Sequence, residues 1–150
     1  MILFIVSIIL CLDFFTKFLA KQNLSLNEPL PVIKGFFYLT LVHNRGAGFG
    51  ILKDQAILLV FTSLFAVILI YLGLKKNKIY KKPDITSISL AFILGGALGN
   101  LIDRLFLGYV VDFLDFRIWP VFNIADSAIT IGAILLGWSI LFKKDVSCNL

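Results

Sequence analysis

The sequence reads as that of an all-α integral membrane protein with four transmembrane helices and a small extracytoplasmic β element. Three observations lead there. Hydrophobic residues make up 59% of the 150 positions and charged residues 15%, against about 45–50% and about 25% in soluble domains. The apolar residues also come in long uncharged runs, which a helix facing a soluble core does not need. Finally, lysines gather beside those runs, where they act as topology signals. The net charge of +5 therefore marks a membrane topology and not a nucleic-acid partner.

Crossing roughly 30 Å of hydrocarbon takes about 20 helical residues, and four segments meet that length. The first, 1–21, opens with twelve apolar or small residues before Asp13, Lys17 and Lys21 appear among Phe14, Phe15, Phe18 and Leu19. It lacks a basic leader and a small-residue cleavage site, so it reads as a retained helix and not a signal peptide. The second, 56–74, is uncharged and stops at Lys75-Lys76. The third, 85–104, ends on Asp103-Arg104, and the fourth, 124–143, carries Asp126 near its start. Together they form one membrane-embedded domain over 1–150, with outer loops at 22–55 and 105–123. Lys75, Lys76, Lys78, Lys81, Lys82, Lys143 and Lys144 place both termini in the cytoplasm. Asp103, Asp112, Asp115 and Asp126 then fall near the outer surface.

The outer loops hold extended candidates. Residues 36–42 are aromatic and β-branched after Gly35, which favours a strand, and the glycines at 46, 48 and 50 break it. Residues 109–116 are a second candidate. Within the membrane, Gly95 with Gly99, and Ala133 with Gly137, have the small-xxx-small spacing that lets helices approach closely.

Acid chemistry has to rest on aspartate, since eight of the nine acids are Asp. Cys11 and Cys148 lie at opposite ends and support no metal spacing, and a single histidine, His43, argues against a zinc site. Asp13 and Lys17 are four apart and share a helix face; they form an ion pair, a brace for a site, or both. Asn100, Asp103 and Arg104 make a polar stripe that is costly unless it faces protein or water. Asn123 and Asp126 have the spacing of a capping box, with Asp in place of the usual Glu. In an extended 110–116 segment, Asp112 and Asp115 face opposite ways, so one acid points toward the bundle and the other toward water. An acid held against apolar surface has its pKa raised, and two adjacent carboxylates share a proton. Such a pair supplies both the base that activates water and the acid that protonates a leaving amine. No G-x-S-x-G or other nucleophile motif competes.

The ordered motifs Asp13-x-x-Thr16-Lys17, Asn44-x-Gly46-Ala47-x-Phe49, Gly95-Gly96-Ala97-x-Gly99-Asn100-x-x-Asp103-Arg104, Val110-Val111-Asp112-Phe113 and Phe122-Asn123-x-Ala125-Asp126-Ser127 resemble those of the lipoprotein signal peptidase (signal peptidase II) family. The resemblance runs from the first helix into the fourth. It implies an aspartic endopeptidase of the bacterial cytoplasmic membrane, which cleaves prolipoproteins before a diacylglyceryl-modified cysteine. It further implies Asp112 and Asp126 as the catalytic pair. Asn44, Asn100, Arg104 and Asn123 would line the site, with Asp13, Lys17 and Asp103 in support and Asp115 a solvated neighbour. The family's architecture is four helices with a β-cradle, working without metal or cofactor and inhibited by globomycin. Lipidated prolipoprotein and membrane lipids are the expected partners, nucleic acid is not, and a monomer is expected. Gly48 stands where the family often has a second alanine. The competing reading is a small proton- or ion-coupled transporter using Asp13, Lys17 and Asp126, but the ionisable groups cluster at one end and no inverted repeat is visible.

Overall fold

The computed structural model describes residues 1–46, 60–61, 63–65, 67–68, 70–72 and 84–142. Its elements in order are α1 (Ile2–Asn23), β1 (Pro29–Ile33), β2 (Phe37–Asn44), α2 (Ser63–Leu72), α3 (Ile85–Leu107), β3 (Val110–Asp115) and α4 (Ile124–Leu141). Three of the helices, α1, α3 and α4, are long and apolar enough to cross a membrane. Of the run expected at 56–74, the described parts are residues 60–61, which are helical, and α2. The flanking 56–59 and 73–74, the lysine-rich connection and the tail from 143 lie outside the described residues, as do Ala47, Gly48 and Phe49.

The bundle is apolar outside and partly polar inside. On α1 the inward residues are Ile2, Val6, Ile9, Asp13, Lys17 and Ala20, one helical stripe. Phe4, Phe15 and Phe18 point outward and are exposed, as suits a lipid-facing surface. Ile2 and Val6 pack on Ala91 and Leu94 of α3, with Val67 and Ile70 of α2 against the same cluster. Gly95 lies against Ile9, and a Cβ on Gly96 would run into the backbone oxygen of Ala125. The Gly95–Gly99 face is thus where α3 meets both α1 and α4.

The second small-residue pair does not pack as expected. Ala133 is exposed, and among the described residues a Cβ on Gly137 would meet nothing within 4 Å. Gly132 instead faces α3, where a Cβ would lie 2.7 Å from Ile93 and from the Ser89 oxygen. One residue is about 100° of helix phase, enough to turn a motif away from its neighbour. Helix α3 also outruns its expected end at 104. Its stop is Gly108, in the left-handed conformation at φ 78°, a backbone position that suits glycine. Asp103 and Arg104 therefore lie within the helix, with their side chains on protein partners.

The sheet is antiparallel in the order β1-β2-β3. Strand β1 is an addition to the sequence reading; Pro29 and Pro31 obscure it, and prolines are tolerated on an edge strand. Ala20 of α1, Leu41, Val111 and Phe113 form the cluster that seats the sheet on the helices. Between β2 and β3 the register steps from Leu39 to Val42 while the partner steps from Leu114 to Asp112. That extra residue is a bulge, which re-aims the side chains beyond it.

Candidate active site

Polar side chains converge where the ends of α1 and α3, the start of α4 and the sheet meet. The inward stripe of α1 places Asp13 and Lys17 one turn apart, both buried. The Lys17 ammonium lies 2.7 Å from Asp13 Oδ2 and 2.9 Å from Asp103 Oδ2, and it donates to Asn100 Oδ1 at 3.1 Å. Its three protons therefore have three acceptors within reach. The two roles open to the Asp13–Lys17 pair coexist: it is an ion pair, and it points into the bundle. Asp13 Oδ1 also accepts the Ala125 N–H at 3.0 Å, at the start of α4. Asp103 Oδ2 accepts the Val111 N–H at 3.1 Å. Asp103 is thus coupled to Lys17 and β3, while Arg104, beside it in sequence, turns to a different neighbour.

Next to this cluster lie Asp112 on β3 and Asp126 on α4, both reached by asparagine donors. Asn123 Nδ2 donates to Asp112 Oδ1 at 2.7 Å, and Asn44 Nδ2 to Asp112 Oδ2 at 2.8 Å. The bulge on β2 sets this second contact: Asn44 pairs with Val110 and Val42 with Asp112, so Asn44 shares the Asp112 face. Asn100 Nδ2 donates to Asp126 Oδ1 at 2.7 Å, and Asn123 Nδ2 lies 3.1 Å from Asn100 Oδ1. The two acids are therefore joined through Asn123 and Asn100. The capping box at the start of α4 is formed as well. Asp126 N–H donates to Asn123 Oδ1 at 2.9 Å, and Asp126 Oδ2 accepts the Asn123 N–H at 3.3 Å. Capping fixes the Asp126 carboxylate and leaves it facing the site.

Burial, reinforced by the neighbouring charge of Asp126, pushes the Asp112 carboxyl up to about 7; the Asn44 and Asn123 hydrogen bonds oppose the rise. A cavity of about 180 Å³ beside the pair is lined by Asn44, Asn100, Arg104, Trp119 and Asp126 among others. Arg104 reaches Ser63 Oγ at 3.4 Å. A larger apolar groove of about 520 Å³ runs past Phe36, Phe116, Ile118, Trp119, Phe122 and Ile131, and it also ends on Asp126.

Of the residues singled out from sequence, the structure gathers all nine into one connected region. Asp115 departs from expectation. It is buried, accepting from Thr40 Oγ1 at 2.7 Å and from the Arg117 N–H at 2.9 Å. Its carboxylate is taken up by Thr40 of the neighbouring strand and by the turn that follows, so this acid is structural and not solvated. Sequence reasoning also missed the walls, Phe36, Trp119 and Phe122. Ile118-Trp119-Pro120 in a short loop was an available signal, because exposed large apolar residues mark interaction surfaces.

Fold and site together define an integral membrane protein whose acid–base groups are gathered at one end of an apolar bundle, open to a polar and an apolar cavity. The model of the signal peptidase (SPase) II family matches residues 5–142. The chain belongs to the signal peptidase II family. It is 49% identical over 136 residues to the lipoprotein signal peptidase of Moorella thermoacetica, covering 89% of this chain and 88% of that one. It is also 49% identical over 150 residues to that of Caldanaerobacter subterraneus, covering 97% and 99%. Among solved structures it is similar to a bacterial membrane enzyme determined by the in meso method at 2.3 Å, with TM-score 0.85, 28% identity, and 99% and 92% of the two chains covered. A second such structure, at 1.9 Å, gives TM-score 0.79 and 30% identity over 97% and 94%.

Proposed function

We propose that this protein is a membrane aspartic endopeptidase that removes signal peptides from bacterial prolipoproteins, cutting before the diacylglyceryl-modified cysteine, with Asp112 and Asp126 as the catalytic pair. The observation that carries the aspartic reading is the pairing itself: two carboxylates in no ion pair among the described residues, linked through Asn123 and Asn100. Relatives named lipoprotein signal peptidase support the substrate class. Near neutral pH the pair holds one proton, carried on Asp112, whose carboxyl is raised to about 7. Ionised Asp126 takes a proton from water, which attacks the scissile carbonyl carbon. Asp112 gives its proton to the developing oxyanion; as the gem-diol intermediate collapses, Asp126 passes the proton it took from water to the leaving amine and Asp112 recovers its own from the collapsing hydroxyl. Arg104, on the wall of the polar cavity, is placed to bind a substrate carbonyl. Asp13, Lys17 and Asp103 hold the frame.

The remaining assignments follow the same reading. The 56–74 run completes a fourth span, both termini are cytoplasmic, the pair lies at the outer face, and the enzyme works as a monomer that binds globomycin-type inhibitors. A diacylglyceryl cysteine is anchored in the outer leaflet, so an outer-face site meets its scissile bond. A transporter is not favoured, since the ionisable groups collect at one end of the helices. The test is processing of a lipidated prolipoprotein by wild type, Asp112→Asn and Asp126→Asn. Both variants are expected to leave precursor uncut; processing at the wild-type rate by either would overturn the pair. Activity is also expected to fall as pH rises through about 7, because Asp112 then loses the shared proton. A flat profile up to strongly alkaline pH would contradict that role.

A further inference from the structure

The turn after β3 is held in a conformation that its sequence does not favour. Arg117 has φ 65°, in the left-handed region that non-glycine residues seldom adopt. Such conformations persist where surrounding contacts over-determine them, and they cluster at functional sites. Here the contacts are specific. Asp115 accepts the Arg117 N–H at 2.9 Å and faces its Nε at 3.7 Å, while its other contact ties it to Thr40. The guanidinium carbon sits 3.9 Å from the centre of the Tyr38 ring, a cation–π arrangement. Phe116, the preceding residue, packs against Phe36, Phe37 and Phe122.

The consequence lies two residues on. Trp119 lines both the apolar groove and the polar cavity, and the two spaces share Trp119, Phe122 and Asp126. Phe122 and Asp126 are fixed by β-bridging to Leu114 and by α4 respectively. Trp119 lies in the same turn, two residues from Arg117, so a shift of the turn's backbone carries its indole with it. A surface cation serving only solubility would need neither the left-handed backbone nor the stacked ring.

We propose that Arg117 is a positioning residue for substrate selection: clamped by Asp115 and Tyr38, it holds Trp119 as the partition between a groove for an acyl chain and a cavity for the peptide backbone. This rests on the peptidase reading above. The two compartments then sort the two halves of a lipidated substrate on either side of Asp126.

The test uses the full chain in detergent–lipid micelles with two fluorogenic signal-peptide substrates, one bearing long and one bearing short acyl chains on its diacylglyceryl cysteine. Arg117→Gly is the informative variant, because glycine accepts a positive φ without strain and the fold is retained. It is expected to raise KM for the long-acyl substrate roughly tenfold, about what one ill-fitted methylene costs in an apolar pocket. Its kcat, its alkaline limb near pH 7 and its KM for the short-acyl substrate are expected to stay. Trp119→Ala is expected to give the same loss of preference, and the double variant no further loss. Arg117→Lys, which keeps a cation over Tyr38, is expected to recover part of the preference. Unchanged KM values in Arg117→Gly, or an equal fall in kcat with both substrates, would overturn the proposal. Wild type cutting neither substrate would instead overturn the peptidase reading itself.

Discussion

Asp13 and Asp103 form one buried acidic pair at this end of the bundle, and Asp112 and Asp126 form another. Both lie among the same helices and both use Asn100. They differ in counter-charge. Lys17 sits between Asp13 and Asp103 within 2.9 Å of each, so that pair has a built-in cation. The second pair receives mainly neutral amide donors, from Asn44, Asn100 and Asn123. Burial and the neighbouring charge of Asp126 raise Asp112 to about 7, and the neutral donors of Asn44 and Asn123 offset that rise only in part, since neutral donors stabilise a carboxylate less than an adjacent cation does. A saturated ion cluster suits a frame; a carboxyl pair short of positive charge suits the catalytic role proposed for it.

That contrast can be attacked from either side. The largest effect is expected at the reagent. Asp112→Asn or Asp126→Asn should lower kcat by at least about 10²–10⁴-fold, the range for lost acid–base groups, with a thermal unfolding midpoint close to wild type. At the frame the order inverts. Lys17→Met strands two buried carboxylates and should cost about 3–5 kcal/mol of stability, read as a lower unfolding midpoint in micelles. If Lys17→Met unfolded like wild type, the cluster would not be bracing the site. A smaller loss, about 1–3 kcal/mol from overpacking, is expected for Gly96→Ala. The added methyl would meet backbone at Ala125, which carries Asp126 with it, so KM and kcat should both shift.

The smallest change concerns a single amide. Asn44→Ala removes a donor that favours the ionised form of Asp112. The Asp112 pKa should therefore rise, and the alkaline limb of the pH–rate profile should move to higher pH. An unmoved or lowered limb would mean that another group sets it.

Much of the fold and site is legible in the amino-acid sequence. Long uncharged runs locate α1, α3 and α4, because a span must satisfy its backbone internally and face lipid with apolar side chains. The Asn123–Asp126 spacing announces the capping box, and Asp13–Lys17 its ion pair, because both are local rules of helix geometry. What escapes such reading is non-local. Ala133 and Gly137 have the spacing of a packing motif but face away from α3, since spacing does not give helix phase relative to a neighbour. Asp115 reads as solvated and is buried, because Thr40 of the neighbouring strand and the Arg117 N–H take up its carboxylate and no feature within 110–116 encodes those partners. Strand β1 is hidden by its two prolines. Trp119 sits in a loop whose large apolar residues signal an interaction surface, but which cavities its ring lines depends on segments remote in the chain.

Hydrophobic length and local spacing suffice to establish a membrane chain and the motif order that places it in its family. They do not establish which aspartates hold a cation in contact. Lys17 is four residues from Asp13 but 86 from Asp103, and Asn44 reaches Asp112 only through a bulge in the neighbouring strand. Charge compensation depends on distances of a few ångströms between segments remote in the chain, and folding alone sets those distances.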